Sequence, residues 1–231
     1  MKTAQYNNFA EVVKLLDLHK VEYVVMRNYS GLMTEDLFTS GHADIDILCE
    51  CSSKFAEAIN ATQCRPGDYT HYFIYINNKK VSLDLRHVGD GYYDTRWQKD
   101  ILRCKTKHQE GFYIMDKVNL FYTLAYHATI QKKSISADYL TTFRQLSADL
   151  NIDLPSNDSA TDLAMILEKF MVSNGYQYTY TQDKTVILNR KNIITKSLIK
   201  KDIRLKARHW KFDTFVRIIE ILVSIKHFLR I

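Results

Sequence analysis

The chain is short of the residues that break regular structure. Its 231 residues include only two prolines and seven glycines, which argues against long loops and disordered linkers. No internal repeat is evident. Four cysteines (Cys49, Cys51, Cys64, Cys104) show no zinc-knuckle spacing, and Cys49-Glu50-Cys51 is too tight for one. Free thiols in a reducing compartment are the expected state. Residues 1–8 lack the apolar core of an export signal, so a cytoplasmic protein is expected. No apolar run is long enough to span a bilayer.

What remains is ordinary for a soluble globular protein: 46% hydrophobic and 25% charged residues. The length suits one large domain, or a core domain with a smaller helical one. The net charge of +6 is uneven. Residues 184–231 carry 13 Lys and Arg against 3 Asp and Glu, a net of +10, leaving −4 for the rest.

Gly41-His42-Ala43-Asp44-Ile45-Asp46-Ile47-Leu48 is the most informative stretch. Strand residues two apart share a face, so Ile45 and Ile47 point into a core, while Asp44 and Asp46 share the other face. Adjacent like charges repel, and a divalent cation would relieve that cost. Val81-Ser82-Leu83-Asp84-Leu85-Arg86 alternates in the same way and offers Asp84 beside Arg86. If the two strands are neighbours, three carboxylates share one surface. That donor set suits Mg2+, with Mn2+ as a substitute. The competing reading is a solvated Asp-x-Asp pair of the common kind.

The periodicity predicts an α+β fold: a small mixed or antiparallel sheet backed by helices, then a mainly helical C-terminal region. A helix is expected at 6–19, a strand at 21–26, a loop at 28–42 and the Asp-pair strand at 43–49. Ser52 and Ser53 would cap a helix at 54–62. Strands 71–76 and 79–86 would form a hairpin across Asn77-Asn78. Helices follow at 116–132, 136–149 and 158–173, and a second hairpin at 176–180 and 185–188 would turn at Gln182-Asp183-Lys184. A soft boundary at 151–158 divides a catalytic domain, 1–150, from a basic region, 151–231.

An Asp-x-Asp on one strand with a single Asp on a later strand resembles the DNA polymerase beta-like nucleotidyltransferase superfamily. Val25-Met26-Arg27-Asn28-Tyr29-Ser30-Gly31-Leu32, the Asp pair, and Asp84-Leu85-Arg86-His87-Val88-Gly89-Asp90-Gly91-Tyr92-Tyr93-Asp94 are most similar to nucleotidyltransferases of bacterial surface-polysaccharide loci. The resemblance covers about residues 20–135. It implies a nucleotidyltransferase-type sheet and a metal-dependent nucleotidyl- or phosphotransferase, with Asp44, Asp46 and Asp84 as catalytic metal ligands. The donor would be a nucleotide or nucleotide-linked compound and the acceptor a sugar or glycan. Alternatives are transfer of alditol- or choline-phosphate from a CDP donor, or a degenerate nucleotide- or nucleic-acid-binding module. The superfamily carries a Gly-Gly or Gly-Ser pair before the Asp pair, where this chain has Arg27-Asn28-Tyr29. Arg27 would then meet phosphate by charge and fork geometry.

Arg27, Asn28, Gly41, His42, Arg86 and Tyr92 are the candidate substrate contacts. Arg86 reads equally as a surface arginine paired with an aspartate. Gly89-Asp90-Gly91-Tyr92-Tyr93 reads as a substrate-covering loop or as a plain turn with two core tyrosines. His127 reads first as a packing residue, and Lys132-Lys133 as the cationic end of a helix. Residues 212–231 form a helix with a narrow polar stripe at Asp213, Arg217, Glu220, Ser224 and His227. It would pack in the core or a dimer interface, or lie on a membrane surface with its basic neighbours on anionic lipid, making the enzyme peripheral. Nucleic acid is the weaker partner for that basic region, because no DNA-reading motif accompanies it.

Overall fold

The computed structural model describes residues 4–27, 29, 31–34, 44–132, 135, 137–154 and 159–228. Among the described residues one mixed sheet has eight strands: β1 (Gln5–Tyr6), β2 (Tyr23–Val25), β3 (Asp44–Cys49), β4 (Thr62–Gln63), β5 (His71–Ile76), β6 (Lys79–His87), β7 (Thr106–Lys107) and β8 (Tyr113–Ile114). The order is β1-β5-β6-β3-β2-β8-β7, with β4 also on β5. The helices are α1 (Phe9–Leu18), α2 (Ser52–Ala58), α3 (Thr95–Arg103), α4 (Lys117–Tyr126), α5 (Ala137–Leu150), α6 (Ala160–Asn174) and α7 (Ile203–Phe228). A mixed α+β fold with a helical C-terminal part is therefore present, as expected.

Local chemistry explains the clearest elements. Asn8 caps α1 by accepting from the Glu11 amide, while Glu11 accepts from Asn7, and Phe9, Val12, Val13 and Leu16 form the buried stripe. Asp116 caps α4 by accepting from the amides of Val118 and Asn119. Asn77 and Asn78 both take positive φ (47° and 60°), as a tight two-residue hairpin turn requires. That turn sets the register of β5 on β6, pairing His71 with Asp84.

The sheet separates two cores. On one face Ile45, Ile47, Val81, Leu83 and Leu85 pack with Phe9, Val12 and Leu16 of α1 and Phe55 of α2. On the other, Val24, Met26 and Leu48 pack with Trp97, Phe121, Tyr126 and Phe143, and with Leu167 and Met171 of α6. The second core draws on residues from both sides of position 150. Each fully buried Leu, Ile or Phe contributes about 1.5–3 kcal/mol.

Three local expectations need correction. Ser52 and Ser53 do not cap α2: Cys51 is the capping residue, without a side-chain cap bond, and both serines lie in the helix's first turn. Residues 176–188 form no hairpin. Their backbone bonds go elsewhere: the Gln182 amide donates to Asp90 O and the Tyr178 amide to Leu198 O, and just beyond the segment Asn189 donates to Ile130 O. Tyr178 pairs with Ile199 as an isolated parallel bridge, so segments distant in sequence outcompete the return strand. The helix from 116 does not run α-helical to 132, because it passes into a π-helical turn at His127–Gln131. Helix α3 went unforeseen because its composition is mostly polar, although Trp97, Ile101 and Leu102 bury one face.

Candidate active site

The decisive geometry is the pairing of β3 with β6. The strands are parallel, and Asp46 stands opposite Asp84 with Asp44 opposite Ser82. The face shared by Asp44, Asp46 and Asp84 continues inward as Leu48, so the carboxylates lie where the helical core stops. Strand β2 runs antiparallel to β3, and the Met26 amide donates to Asp46 O. Arg27, just past the end of β2, is thereby set against the Asp pair.

Two arginines meet the carboxylates. Arg27 Nε donates to Asp46 Oδ2 at 2.9 Å. Arg86 Nη2 donates to Asp84 Oδ2 at 2.7 Å, and its Nη1 donates to Asp183 Oδ2 at 3.0 Å. Arg86 is only 3% exposed, so it is no surface arginine. Tyr92 joins the two arginines: its hydroxyl accepts from Arg27 Nη2 at 3.0 Å, and its ring lies 4.4 Å from the Arg86 guanidinium carbon.

Behind Tyr92 lies a neutral polar wall. Gln131 Nε2 donates to the Tyr92 carbonyl at 3.0 Å, which turns Gln131 Oε1 toward His127 Nδ1, also at 3.0 Å. The carbonyl oxygens accept, so His127 carries its proton on Nδ1. Burial, reinforced by the Arg27 charge, pushes His127 down to about 3 and keeps it neutral.

A cavity of about 370 Å³ opens on this arrangement. Its walls include Arg27, Asp44, Asp46, Asp84, Arg86 and Tyr92 on the sheet side. His127, Gln131, Lys132, Tyr139, Thr185 and Val186 close the other side. Lys132 thus faces the cavity rather than serving only as a helix-end cation. Burial raises Asp84 above the usual carboxylate range; Arg86 opposes the shift and Asp46 adds to it. Burial also pushes Asp183 upward, but the Thr185 hydrogen bond and the Arg86 charge outweigh it and hold Asp183 low.

Among the described residues no three His, Cys, Asp or Glu side chains converge as a ready metal-holding group. Arg27 and Arg86 each occupy an oxygen of a candidate ligand. The donor chemistry nonetheless fits a hard divalent ion: three carboxylates border one cavity, and Asp84 Oδ1 is buried with no hydrogen-bond partner.

Asn28, Gly41 and His42 lie outside the described residues. The turn at 89–93 is not a covering loop. Asp90, Tyr92 and Tyr93 are buried, and Asp90 and Gln98 hold the turn from within. Gly91 has φ +76°, and a Cβ there would collide with the Tyr180 carbonyl oxygen, so the position requires glycine. The plain turn with core tyrosines is the reading that holds.

Three site residues escaped the sequence reading. His71 could have been found, since the Asn77-Asn78 turn sets it opposite Asp84, with Nε2 3.7 Å from Asp84 and 3.9 Å from Asp183. Gln131 lies one helical turn after His127 and was also within reach. Asp183, 97 residues from Arg86, carried no signal.

No protein-family model and no curated protein matches the chain. Among solved structures it is similar to the antibiotic-resistance factor ANT(2'')-Ia in solution, at TM-score 0.40 and 11% identity over 72% of this chain and 91% of that one. It is also similar to an antigenic nucleotidyltransferase-like protein from Paracoccidioides brasiliensis, at TM-score 0.40 and 10% identity over 72% of this chain and 86% of that one. Likeness at that level carries no argument about the reaction.

Proposed function

We propose that the cavity binds a nucleotide or nucleotide-linked donor together with Mg2+ or Mn2+, and transfers a nucleotidyl or phosphoryl group to a hydroxyl of a sugar or glycan intermediate in surface-polysaccharide synthesis. The observation that carries the reading is the Asp46–Asp84 register beside a cavity bordered by Arg27 and Arg86. Asp44, Asp46 and Asp84 would hold the ion, which when bound neutralises phosphate charge. Arg27, Arg86 and Lys132 border the cavity and would meet the donor phosphates by charge, the arginines giving up part of their carboxylate pairing to do so. Asp84 takes the proton of the acceptor hydroxyl through Oδ1, which makes no hydrogen bond of its own. The acceptor oxygen then bonds to phosphorus as the bond from that phosphorus to the leaving pyrophosphate or nucleotide breaks. The sugar or glycan acceptor rests on the resemblance of the motif alone.

One observation favours a second reading. Arg27 and Arg86 already pair with Asp46 and Asp84, which would suit a module that binds nucleotide without metal or catalysis. Calorimetric titration with ATP, CTP, GTP, UTP and CDP-linked donors separates the two, first with Mg2+ and then with chelator. Metal-dependent binding that is lost in Asp44→Asn/Asp46→Asn supports the enzyme. Metal-independent binding that survives those changes supports the module. A folded protein that binds none of the donors overturns both.

A further inference from the structure

Helix α7 leaves most of its surface uncovered. Of its large apolar side chains, Ile203 is 82% exposed, Trp210 69%, Phe215 59% and Leu222 59%, and Ile218, Ile219, Ile221 and Val223 are also exposed. Among the α7 residues whose burial is described only His209 is buried, with Nε2 2.7 Å from Thr181 O, and the Lys184 ammonium lies 5.2 Å from the Phe212 ring centre. Exposed aromatic and branched residues in such numbers mark a surface made for contact.

Charge and apolarity on α7 segregate along the axis. Residues 200–211 carry six Lys and Arg against one Asp, whereas 212–228 carry two charges of each sign. Positions three and four apart share a helix face. Arg204, Arg208 and Lys211 therefore continue directly into Phe215, Ile218 and Leu222, and all six are exposed. That face is basic at its start and apolar beyond it, and the exposed Trp210 lies at the level of the change but off that face. Among the described residues no helix is long and apolar enough to cross a membrane.

We infer that α7 docks this protein on anionic lipid, with the basic collar among headgroup phosphates and the apolar end inserted beneath them. Charge complementarity selects this occupant. Two copies packing in parallel along α7 would bring their cationic collars together, whereas an anionic bilayer offers negative charge above an apolar layer in the same order as the helix. Trp and Tyr favour that interface because they combine an apolar ring with a polar edge. Through His209 and Thr181 the helix is tied to residues 180–186, of which Thr185 and Val186 line the cavity. Docking would therefore hold the cavity near the lipid surface. The inference does not depend on the proposed reaction.

The test is co-sedimentation of the full chain with vesicles of phosphatidylcholine alone, or with about one third phosphatidylglycerol, while Trp210 fluorescence is followed. Binding only to the anionic vesicles is expected, with a blue shift that Trp210→Phe removes. Salt at about 0.5 M should weaken binding several-fold. Arg204→Glu/Arg208→Glu/Lys211→Glu should weaken it about a hundredfold or more. Ile218→Asp/Leu222→Asp should abolish it. These positions are exposed, so the variants should keep the parent's circular dichroism. Absence of binding to anionic vesicles overturns the inference, as does equal binding to neutral ones. Self-association that Ile218→Asp/Leu222→Asp abolishes, without vesicle binding, assigns the surface to a second copy instead.

Discussion

Leu85 and Arg86 are consecutive on β6 and both shut away from water, at 0% and 3% exposure, yet they are buried for different reasons. Leu85 joins Ile47, Leu83 and Phe55 in a core built of apolar contact alone, where size and shape decide stability. Arg86 is held between Asp84 and Asp183 beneath the Tyr92 ring. A buried ion pair returns little net stability, because desolvation offsets most of its attraction, and well-packed apolar residues commonly do as well or better. The α1–α2 face of the sheet is thus explained by folding alone. The charges on the other face are not, and they border the cavity.

The largest expected effect breaks this contrast at Arg86. Arg86→Met leaves the partly buried Asp84 and Asp183 without their arginine and should cost about 3–5 kcal/mol in urea unfolding. Adding Asp84→Asn and Asp183→Asn should recover most of that loss. A cost under about 1 kcal/mol for the single change would mean that the arginine is not an integral part of the buried face. Leu85→Ala should cost about 2–5 kcal/mol, with no rescue by any polar change.

A smaller effect comes from pH. His127 is held near 3, below its ordinary 6.5, so the unfolded chain takes up a proton there before the folded one does. Its contribution is complete above pH 6.5 and is lost as pH falls from 6.5 toward 3, at up to about 1.4 kcal/mol per pH unit. His127→Gln should flatten that part of the stability profile. If the slope is unchanged, the neutral wall behind Tyr92 is misassigned. The smallest effect on folding belongs to Asp44→Asn. Asp44 is exposed, so its loss should move stability by less than about 0.5 kcal/mol while removing metal-dependent nucleotide binding. A large fall in stability instead would place Asp44 with the structural charges.

Periodicity made much of this legible. Alternation in residues 44–49 and 79–87 identified both carboxylate strands and their inward faces, because side-chain direction in a strand is a local property. Asn77-Asn78 specified the hairpin for the same reason: the φ angles that the turn demands belong to the residues that make it. The helices expected at 6–19 and 158–173 formed at 9–18 and 160–174, the first on the apolar spacing of Phe9, Val12, Val13 and Leu16. The hairpin expected at 176–188 failed although its local pattern was good, since the amides of Gln182 and Tyr178 found carbonyls at Asp90 and Leu198. Between a covering loop and a plain turn at 89–93 the sequence could not choose, and Gln98 and the passing Tyr180 backbone, which enclose the turn, decide for the latter.

The chemistry available to the chain could be read from its residue order, since an alternating strand commits its aspartates to one face wherever that strand is placed. Which carboxylate meets which, and which arginine neutralises it, could not. Setting Asp46 opposite Asp84 requires β3 and β6 to be neighbours, and bringing Asp183 to Arg86 requires the C-terminal segment to cross the helical core. Both are agreements between surfaces far apart in the chain, decided by packing and hydrogen bonding that no single segment carries.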